Sequence, residues 1–372
     1  MLLLIAVASC GRGRRETAAP SAARQAELRD SLLRARADSA LRSLTPEQKA
    51  GLMLMPAIYT RNDNATLSLL THYARDCHAG GIVLLRGDTA SARAIADSID
   101  RMGRPEMLVA IDAEWGLAMR LSDAQTFPRA RELGRMADTL YMKHYGDAVG
   151  HQCRRLGIDM VLGPVLDVVT DSVASIMTRR SFGSDPKVAA RLGLAYSSSL
   201  WNCGIIPVAK HFPGHGGVTG DSHSTLPVLY KSLHEMETVD LYPFRRYAEA
   251  GLPAIMAGHV AVPAIDPEQR SAAVSPAVMT DLLRRDLKFT GLIITDALNM
   301  GGAGGAQPWE AIAAGADMVI APVDTDSAVR GILAALGDGR LSEETVDDRC
   351  RRILYYSYLA ADRRAHRSES RL

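Results

Sequence analysis

Eight short apolar runs recur along this chain, and each is separated from the next by a stretch long enough to hold a helix. That alternation narrows the fold more than any other feature. The runs read LMLM (52–55), GIVLL (81–85), MLVAID (107–112), DMVLGPVLD (159–167), IIPVAK (205–210), AIMAGHV (254–260), GLIITD (291–296) and DMVIAP (317–322). They are too short for helices of their own and show no alternation, which is the pattern of strands buried on both faces of a parallel sheet. Helix-patterned stretches such as 90–102, 188–201 and 275–287 lie between them. Eight strands alternating with helices predict an α/β chain folded as a single (β/α)8 TIM-type barrel. A doubly wound sheet is the competing arrangement, but no glycine fingerprint follows the first run.

The 372 residues suffice for one large barrel, and the net charge of +1 lacks the basic excess of a nucleic-acid partner. Of five cysteines, Cys77, Cys153, Cys203 and Cys350 show neither CxxC nor zinc-ligand spacing and read as buried free thiols. Cys10 differs. The apolar leader MLLLIAVAS (1–9) is too short to span a bilayer, and VASC (7–10) resembles the lipobox of bacterial lipoproteins, although no basic segment precedes it. A signal peptide over 1–10 ending at an acylated Cys10 is therefore expected. It would place the protein at the cell envelope, on the periplasmic or outer-membrane face, with membrane contact through the lipid anchor only. If the leader is not a true signal, the location is cytoplasmic. Residues 11–44 follow as a flexible tether (11–23) and a surface helix carrying Leu28, Leu32, Leu33 and Leu41 among many charges. TPEQ (45–48) has the form of a capping box with proline at the first helical position. The barrel is expected over 45–361, closing with a helix over 342–361, and a polar tail over 362–372.

Polar residues crowd where the apolar runs stop. KHFPGHGGVTGDSHSTLP (210–227) places three histidines, a lysine and an aspartate on a glycine-rich loop at the end of a strand. That is the end at which α/β barrels carry their chemistry. IDAEWGLAMR (111–120), GPVLDV (163–168), RRSFGSDP (179–186) and TDALNM (295–300) stand at the ends of other runs. A buried aspartate at a strand end, such as Asp296, is costly unless bonded or functional.

Taken together, KHFPGHG followed by DSH and LP, the PVLDV-like and RSFG elements and TDALNM resemble glycoside hydrolase family 3. The branch is that of the bacterial single-domain β-N-acetylglucosaminidases, and the resemblance covers about residues 45–361. It implies a single catalytic domain acting as a retaining exo-β-N-acetylhexosaminidase. The implied substrate is terminal β-linked N-acetylglucosamine on cell-wall fragments or chitin-like oligosaccharides, a role in peptidoglycan turnover. Residue by residue, it implies Asp296 as nucleophile, His223 as acid/base with Asp221 beside it, and Asp112, Arg120, Arg180, Lys210 and His211 as sugar ligands. Asp167 is expected to orient the framework, Phe212 to His215 to shape the loop, and Arg179 to be solvated. The wider family draws an acid/base carboxylate from a second α/β domain, and here the DSH histidine is expected to stand in its place. An imidazole titrates near neutrality, and Asp221 could fix its tautomer.

The chain departs from the family at Ala113, Trp115, Leu117 and Ala118. Trp115 either stacks on a sugar or packs, and His259 either flanks the pocket or fills the core. GGAGG (301–305) lacks the GK[ST] ending of a phosphate loop and reads as a turn beside the nucleophile. No cofactor and no metal are implied. The alternatives are a β-N-acetylglucosaminide phosphorylase, a β-glucosidase of the same family and a non-catalytic sugar-binding lipoprotein. A zinc hydrolase using His211, His215, Asp221 and His223 is a further one, but the spacing lacks any standard ligand set.

Overall fold

The computed structural model of the chain describes residues 22–104, 106–169, 176–218, 222 and 224–365. The strands are β1 (Leu54–Met55), β2 (Ala57–Thr60), β3 (Gly81–Gly87), β4 (Leu108–Ile111), β5 (Met160–Val161), β6 (Ile206–Phe212), β7 (Ala254–Ala257), β8 (Leu292–Thr295) and β9 (Val319–Ile320). The helices are α1 (Ala22–Leu41), α2 (Pro46–Leu52), α3 (Asn64–Arg75), α4 (Thr89–Arg101), α5 (Ala130–Met136), α6 (Thr139–Leu156), α7 (Pro186–Asn202), α8 (Leu233–Thr238), α9 (Leu241–Glu249), α10 (Pro308–Ala314), α11 (Thr325–Gly337) and α12 (Glu343–Ala365). The stretch expected as a helix over 275–287 is a π-helical segment, Ala277–Asp286.

Each apolar run contains a strand. β2 to β8 pair in sequence order as one curled seven-stranded sheet, every pair parallel, while β1 pairs with β9. The fold is thus α/β with a curled parallel sheet. β4, β6, β7 and β8 are buried along their whole length, as strands covered by helices should be. The sequence reading missed β2, because Pro56 ends the LMLM run. Proline has no N–H to give a ladder, and across it the hydrogen bonding changes partner, from β9 on one side to β3 on the other. A single bridge, Ile294 with Met318, joins β8 to the residue before β9.

Two runs begin DMV, and their aspartates share one job. Asp159 Oδ2 accepts the Val109 N–H at 3.0 Å and Asp317 Oδ2 accepts the Ile293 N–H at 2.7 Å. α12 supplies an arginine to each, Arg364 to Asp159 and Arg352 to Asp317. These buried carboxylates fasten the starts of strands to their neighbours, whereas the chemistry lies at the other end.

The capping box of α2 is formed, with Thr45 and Gln48 bonding each other's backbone. α1 is less exposed than expected. Leu28 and Leu32 face solvent at 44% and 71% exposure, but Leu33, Ala37 and Leu41 are buried within the main core. Tyr355 of α12 donates to Asp30 at 2.6 Å, and Arg351 pairs with Asp38 at 2.8 Å. The helix starts at Ala22, where the tether was expected to run to 23.

Candidate active site

Residues alternate faces along a strand, so the residues that follow one another at a strand end project in opposite directions. Asp112 leaves β4, and Glu114, two residues on, projects with it toward Lys210. Lys210 and His211 lie near the C-terminal end of β6, joined by a cis peptide. Asp296 is the residue after β8, and its N–H is held by the Ala257 carbonyl of β7 at 2.8 Å.

Ion pairs and hydrogen bonds link these side chains without a break. Asp112 accepts from Arg120 at 2.5 Å and from Lys210 at 2.8 Å. Lys210 also reaches Glu114 at 3.0 Å. Arg180 grips Glu114 with both arms of its guanidinium, Nε at 2.9 Å and Nη2 at 2.6 Å, the fork geometry that suits a carboxylate. The same Nη2 stands 3.5 Å from His211 Nε2. On the far side of that ring, Nδ1 lies 2.7 Å from Asp167. Asp167 also accepts the His211 and His215 N–H groups, at 3.3 and 2.6 Å. The imidazole of His211 therefore donates from Nδ1 and presents Nε2 to the pocket.

Asp296 completes the set. Its Oδ1 takes the Ala297 N–H at 2.8 Å, and its Oδ2 faces His211 Nε2 at 4.0 Å, beyond hydrogen-bond range. One oxygen is anchored and, among the described residues, the other is open. Burial works to raise this carboxyl, but the neighbouring imidazoles of His211 and His259, the Ala297 N–H and Lys210 together hold it below its ordinary value. The same contest is won by the partners elsewhere. Against burial, Lys210 and Arg180 bring Glu114 down to about 2, Lys210 and Arg120 depress Asp112, and His211 depresses Asp167. Lys210 and Arg180 are raised in return, since their carboxylate partners outweigh the desolvation that would discharge them. All four carboxylates are ionised at neutral pH.

The structure thus brings Asp112, Arg120, Arg180, Lys210, His211 and Asp296 together. Asp221 and His223 lie outside the described residues. Ser222 between them is buried, and its carbonyl accepts the Gly302 N–H at 2.8 Å, in the turn that follows Asp296. A Cβ on Gly302 would stand 2.5 Å from that oxygen, so this close approach requires glycine. Asp167 orients His211, as expected, and Arg179 is exposed.

His259 is fully buried with both ring nitrogens occupied, Nδ1 by the Ser271 hydroxyl and Nε2 by the Ala297 carbonyl, each at 3.0 Å. It packs beneath the residue next to Asp296, and burial lowers its pKa. Trp115 carries the Arg129 guanidinium over its ring at 4.0 Å, so one face is already covered. His215 is buried beside His211, and its ring nitrogens have no hydrogen-bond partner among the described residues.

Glu114 was missed by the sequence reading, although it stands in the IDAEWGLAMR string. The signal was available: a second acid two residues beyond Asp112, on the same side of an extended chain.

The arrangement has relatives. Residues 46–356 match the model of the Glycosyl hydrolase family 3 N terminal domain. A beta-hexosaminidase of Chromobacterium violaceum is 36% identical over 275 residues, 69% of this chain and 75% of that protein. Among solved structures, a family 3 beta-N-acetylglucosaminidase from Paenibacillus superposes with a TM-score of 0.80 at 28% identity, covering 87% of this chain and 63% of that one. A family 3 glycosyl hydrolase of Mycobacterium smegmatis gives a TM-score of 0.74 at 29% identity, over 85% of this chain and 98% of the other. The present chain therefore spans less than two thirds of the Paenibacillus chain and nearly the whole of the mycobacterial one. With five sixths of its length under the family's model, the chain belongs to glycosyl hydrolase family 3 through that N terminal domain.

Proposed function

We propose that this chain is a retaining exo-β-N-acetylhexosaminidase that releases terminal β-linked N-acetylglucosamine from cell-wall fragments or chitin-like oligosaccharides, a role in peptidoglycan turnover. The observation that carries the reading is Asp296, an ionised carboxylate at a strand end with one oxygen anchored and the other facing the sugar-binding side chains. The name of the Chromobacterium relative and that of the Paenibacillus structure support the substrate class.

In this reading Asp296 Oδ2 attacks the anomeric carbon while the leaving oxygen takes a proton from His223, with Asp221 holding the other side of that imidazole. Water then enters, gives its proton to His223, and displaces Asp296 with a second inversion, so the sugar leaves with its configuration retained. Asp112, Arg120, Arg180, Lys210 and His211 bind the sugar hydroxyls and the acetamide. The donor and acceptor types suit this, since carboxylates accept from neighbouring hydroxyls while guanidinium and ammonium donate.

The same reading treats the sheet as a closed (β/α)8 ring over 45–361, with β1 and β2 as one strand interrupted at Pro56. The pairing of β1 with β9 and the Ile294–Met318 bridge support it. It also keeps Cys10 as an acylated anchor at the end of a signal over 1–10. Intact-mass analysis of membrane-fraction protein should find a diacylglyceryl cysteine at the N-terminus, and an unmodified residue upstream of Cys10 would remove the anchor.

Purified protein is expected to release the aryl alcohol from an aryl β-N-acetylglucosaminide far faster than from the β-glucoside, at a rate indifferent to inorganic phosphate. A sugar 1-phosphate product would make it a phosphorylase instead. Asp296→Asn should keep the fold by circular dichroism and lose turnover by on the order of 10⁴-fold or more. His223→Ala should cost about 10²–10⁴-fold on a poor leaving group and much less on an activated one. Equal loss on both would assign His223 to substrate positioning.

A further inference from the structure

Apart from the active-site network, three segments of chain bring an imidazole, a thiol and a carboxylate to one point. His72 stands in the last turn of α3, Cys77 in the turn that follows, and Asp326 in the first turn of α11. The Asp76 and Cys77 N–H groups both bond the His72 carbonyl, at 2.9 and 3.0 Å, which wraps the chain around the helix end. Cys77 Sγ is thereby set 3.4 Å from His72 Nε2. Asp326 Oδ2 lies 3.0 Å from the same nitrogen, and its Oδ1 lies 3.7 Å from the thiol. The turn has little freedom to move, because the backbone of α2 is packed against it: a Cβ on Gly51 would stand 1.8 Å from the Cys77 carbonyl oxygen.

These separations are those of ligands around one small ion. Zinc bonds of about 2.3 Å to sulfur and about 2.0–2.1 Å to nitrogen and oxygen put tetrahedral neighbours roughly 3.3–3.6 Å apart. Here Nε2 stands 3.4 Å from Sγ and 3.0 Å from Asp326 Oδ2, Asp326 Oδ1 stands 3.7 Å from Sγ, and one ligand atom from each residue lies within 4.8 Å of the others. The imidazole is already oriented for the task. Its Nδ1 lies 2.9 Å from Asp76 Oδ2, and a carboxylate on the far nitrogen is how proteins hold a ligating histidine in the required tautomer. Nε2 faces an Asp326 oxygen at 3.0 Å, a contact that a proton on Nε2 bridges in the metal-free protein. A metal ion would displace that proton and sit between the same two atoms. Cys77 is 2% exposed and forms the floor, while the His72 and Asp326 side chains are 36% and 48% exposed, so an ion can enter from solvent and keep a water as its fourth ligand.

We propose that His72, Cys77 and Asp326 form a structural site for one divalent transition-metal ion, zinc above all. A sulfur–nitrogen–oxygen set of this softness selects against magnesium and calcium, which take oxygen alone. The place explains the use. α3 follows β2, α11 follows β9, and β9 pairs with β1, so the ion ties together the helices that follow the second and last strands of the chain.

Full-length protein stripped with chelator and titrated with Co²⁺ tests this. The expected result is a thiolate-to-cobalt charge-transfer band that saturates at one equivalent and is displaced by Zn²⁺, together with a rise in melting temperature on adding Zn²⁺. Cys77→Ser should abolish the band, and Asp76→Asn should weaken Zn²⁺ binding by about 10–100-fold. If Cys77→Ser does not fold, Asp326→Asn, altered on the exposed side, carries the test and should weaken binding at least as much. The thiolate band separates this site from any ion held by histidines elsewhere. Absence of the band at stoichiometric Co²⁺ overturns the proposal, and so does Zn²⁺ affinity unchanged in both Asp76→Asn and Asp326→Asn.

Discussion

Glu114 shows what one buried residue does for a site of this kind. Its side chain is 3% exposed and neutralises two cations, Arg180 and Lys210, that would otherwise repel each other across the pocket. It is placed to position those cations rather than to touch the reacting atoms. Glu114→Gln keeps the volume and removes the charge, so Arg180 and Lys210 lose a bond of the charge-assisted kind, worth about 1.5–3 kcal/mol. On the proposed reaction this should raise KM by about 10–100-fold with a smaller change in kcat. Steady-state kinetics alongside a melting curve check it. A lower melting temperature with KM unchanged would make Glu114 a stabilising residue only.

At the scale of the element, the chain uses aspartates at both ends of its strands for opposite purposes. Asp296 stands after β8, keeps one oxygen open and depends on neighbouring charges to stay ionised. Asp317 stands just before β9, is fully buried, and spends both oxygens on Ile293, Arg284 and Arg352. Removing it leaves the largely buried Arg284 guanidinium without a carboxylate partner and Arg352 with Asp348 alone. Asp317→Ala should therefore destabilise the fold by about 3–5 kcal/mol, seen as a lower urea midpoint with an unchanged slope. Exchanging an exposed carboxylate such as Asp281, paired with Arg285 on the surface, should cost less than about 1 kcal/mol.

For the whole molecule, the site's charges make stability depend on acid. Asp112, Glu114, Asp167 and Asp296 are all held below the ordinary carboxylate range when folded, while the unfolded chain titrates near 3.9–4.3. A depressed folded pKa contributes stability that is complete above the unfolded value and is lost as pH falls toward the folded one. Below about pH 4, unfolding takes up protons, and stability should fall by roughly 1.4 kcal/mol per pH unit for each proton taken up. Asp159 and Asp240 are raised by burial and act with the opposite sign, above about pH 4. Urea melts between pH 2.5 and 7 should show the acid slope, and Asp167→Asn should flatten it. A slope unchanged in that variant would assign the effect to surface carboxylates.

Much of this was legible from residue order, because the rules involved are local. Apolar runs with helix-length spacers specify strands alternating with helices, Thr45 to Gln48 specify a cap, and polar residues after a run must lie at a strand end. The identity of Asp112, Lys210, His211 and Asp296 as neighbours followed from that rule and from a resemblance. What residue order did not decide was every pairing between distant segments. Pro56 looked like the end of a strand, and only the ladder on either side shows it as a change of partner between β9 and β3. Glu114 and the DMV aspartates looked like ordinary acids, since the arginines that define them come from 66, 35 and 205 residues away. His72, Cys77 and Asp326 could not be seen as a group at all, with 249 residues between the thiol and its carboxylate. Periodicity and turn chemistry act over a few residues and are written in the chain; the charge balance of a buried group depends on which distant side chain packing delivers to it, and that is decided only when the sheet curls.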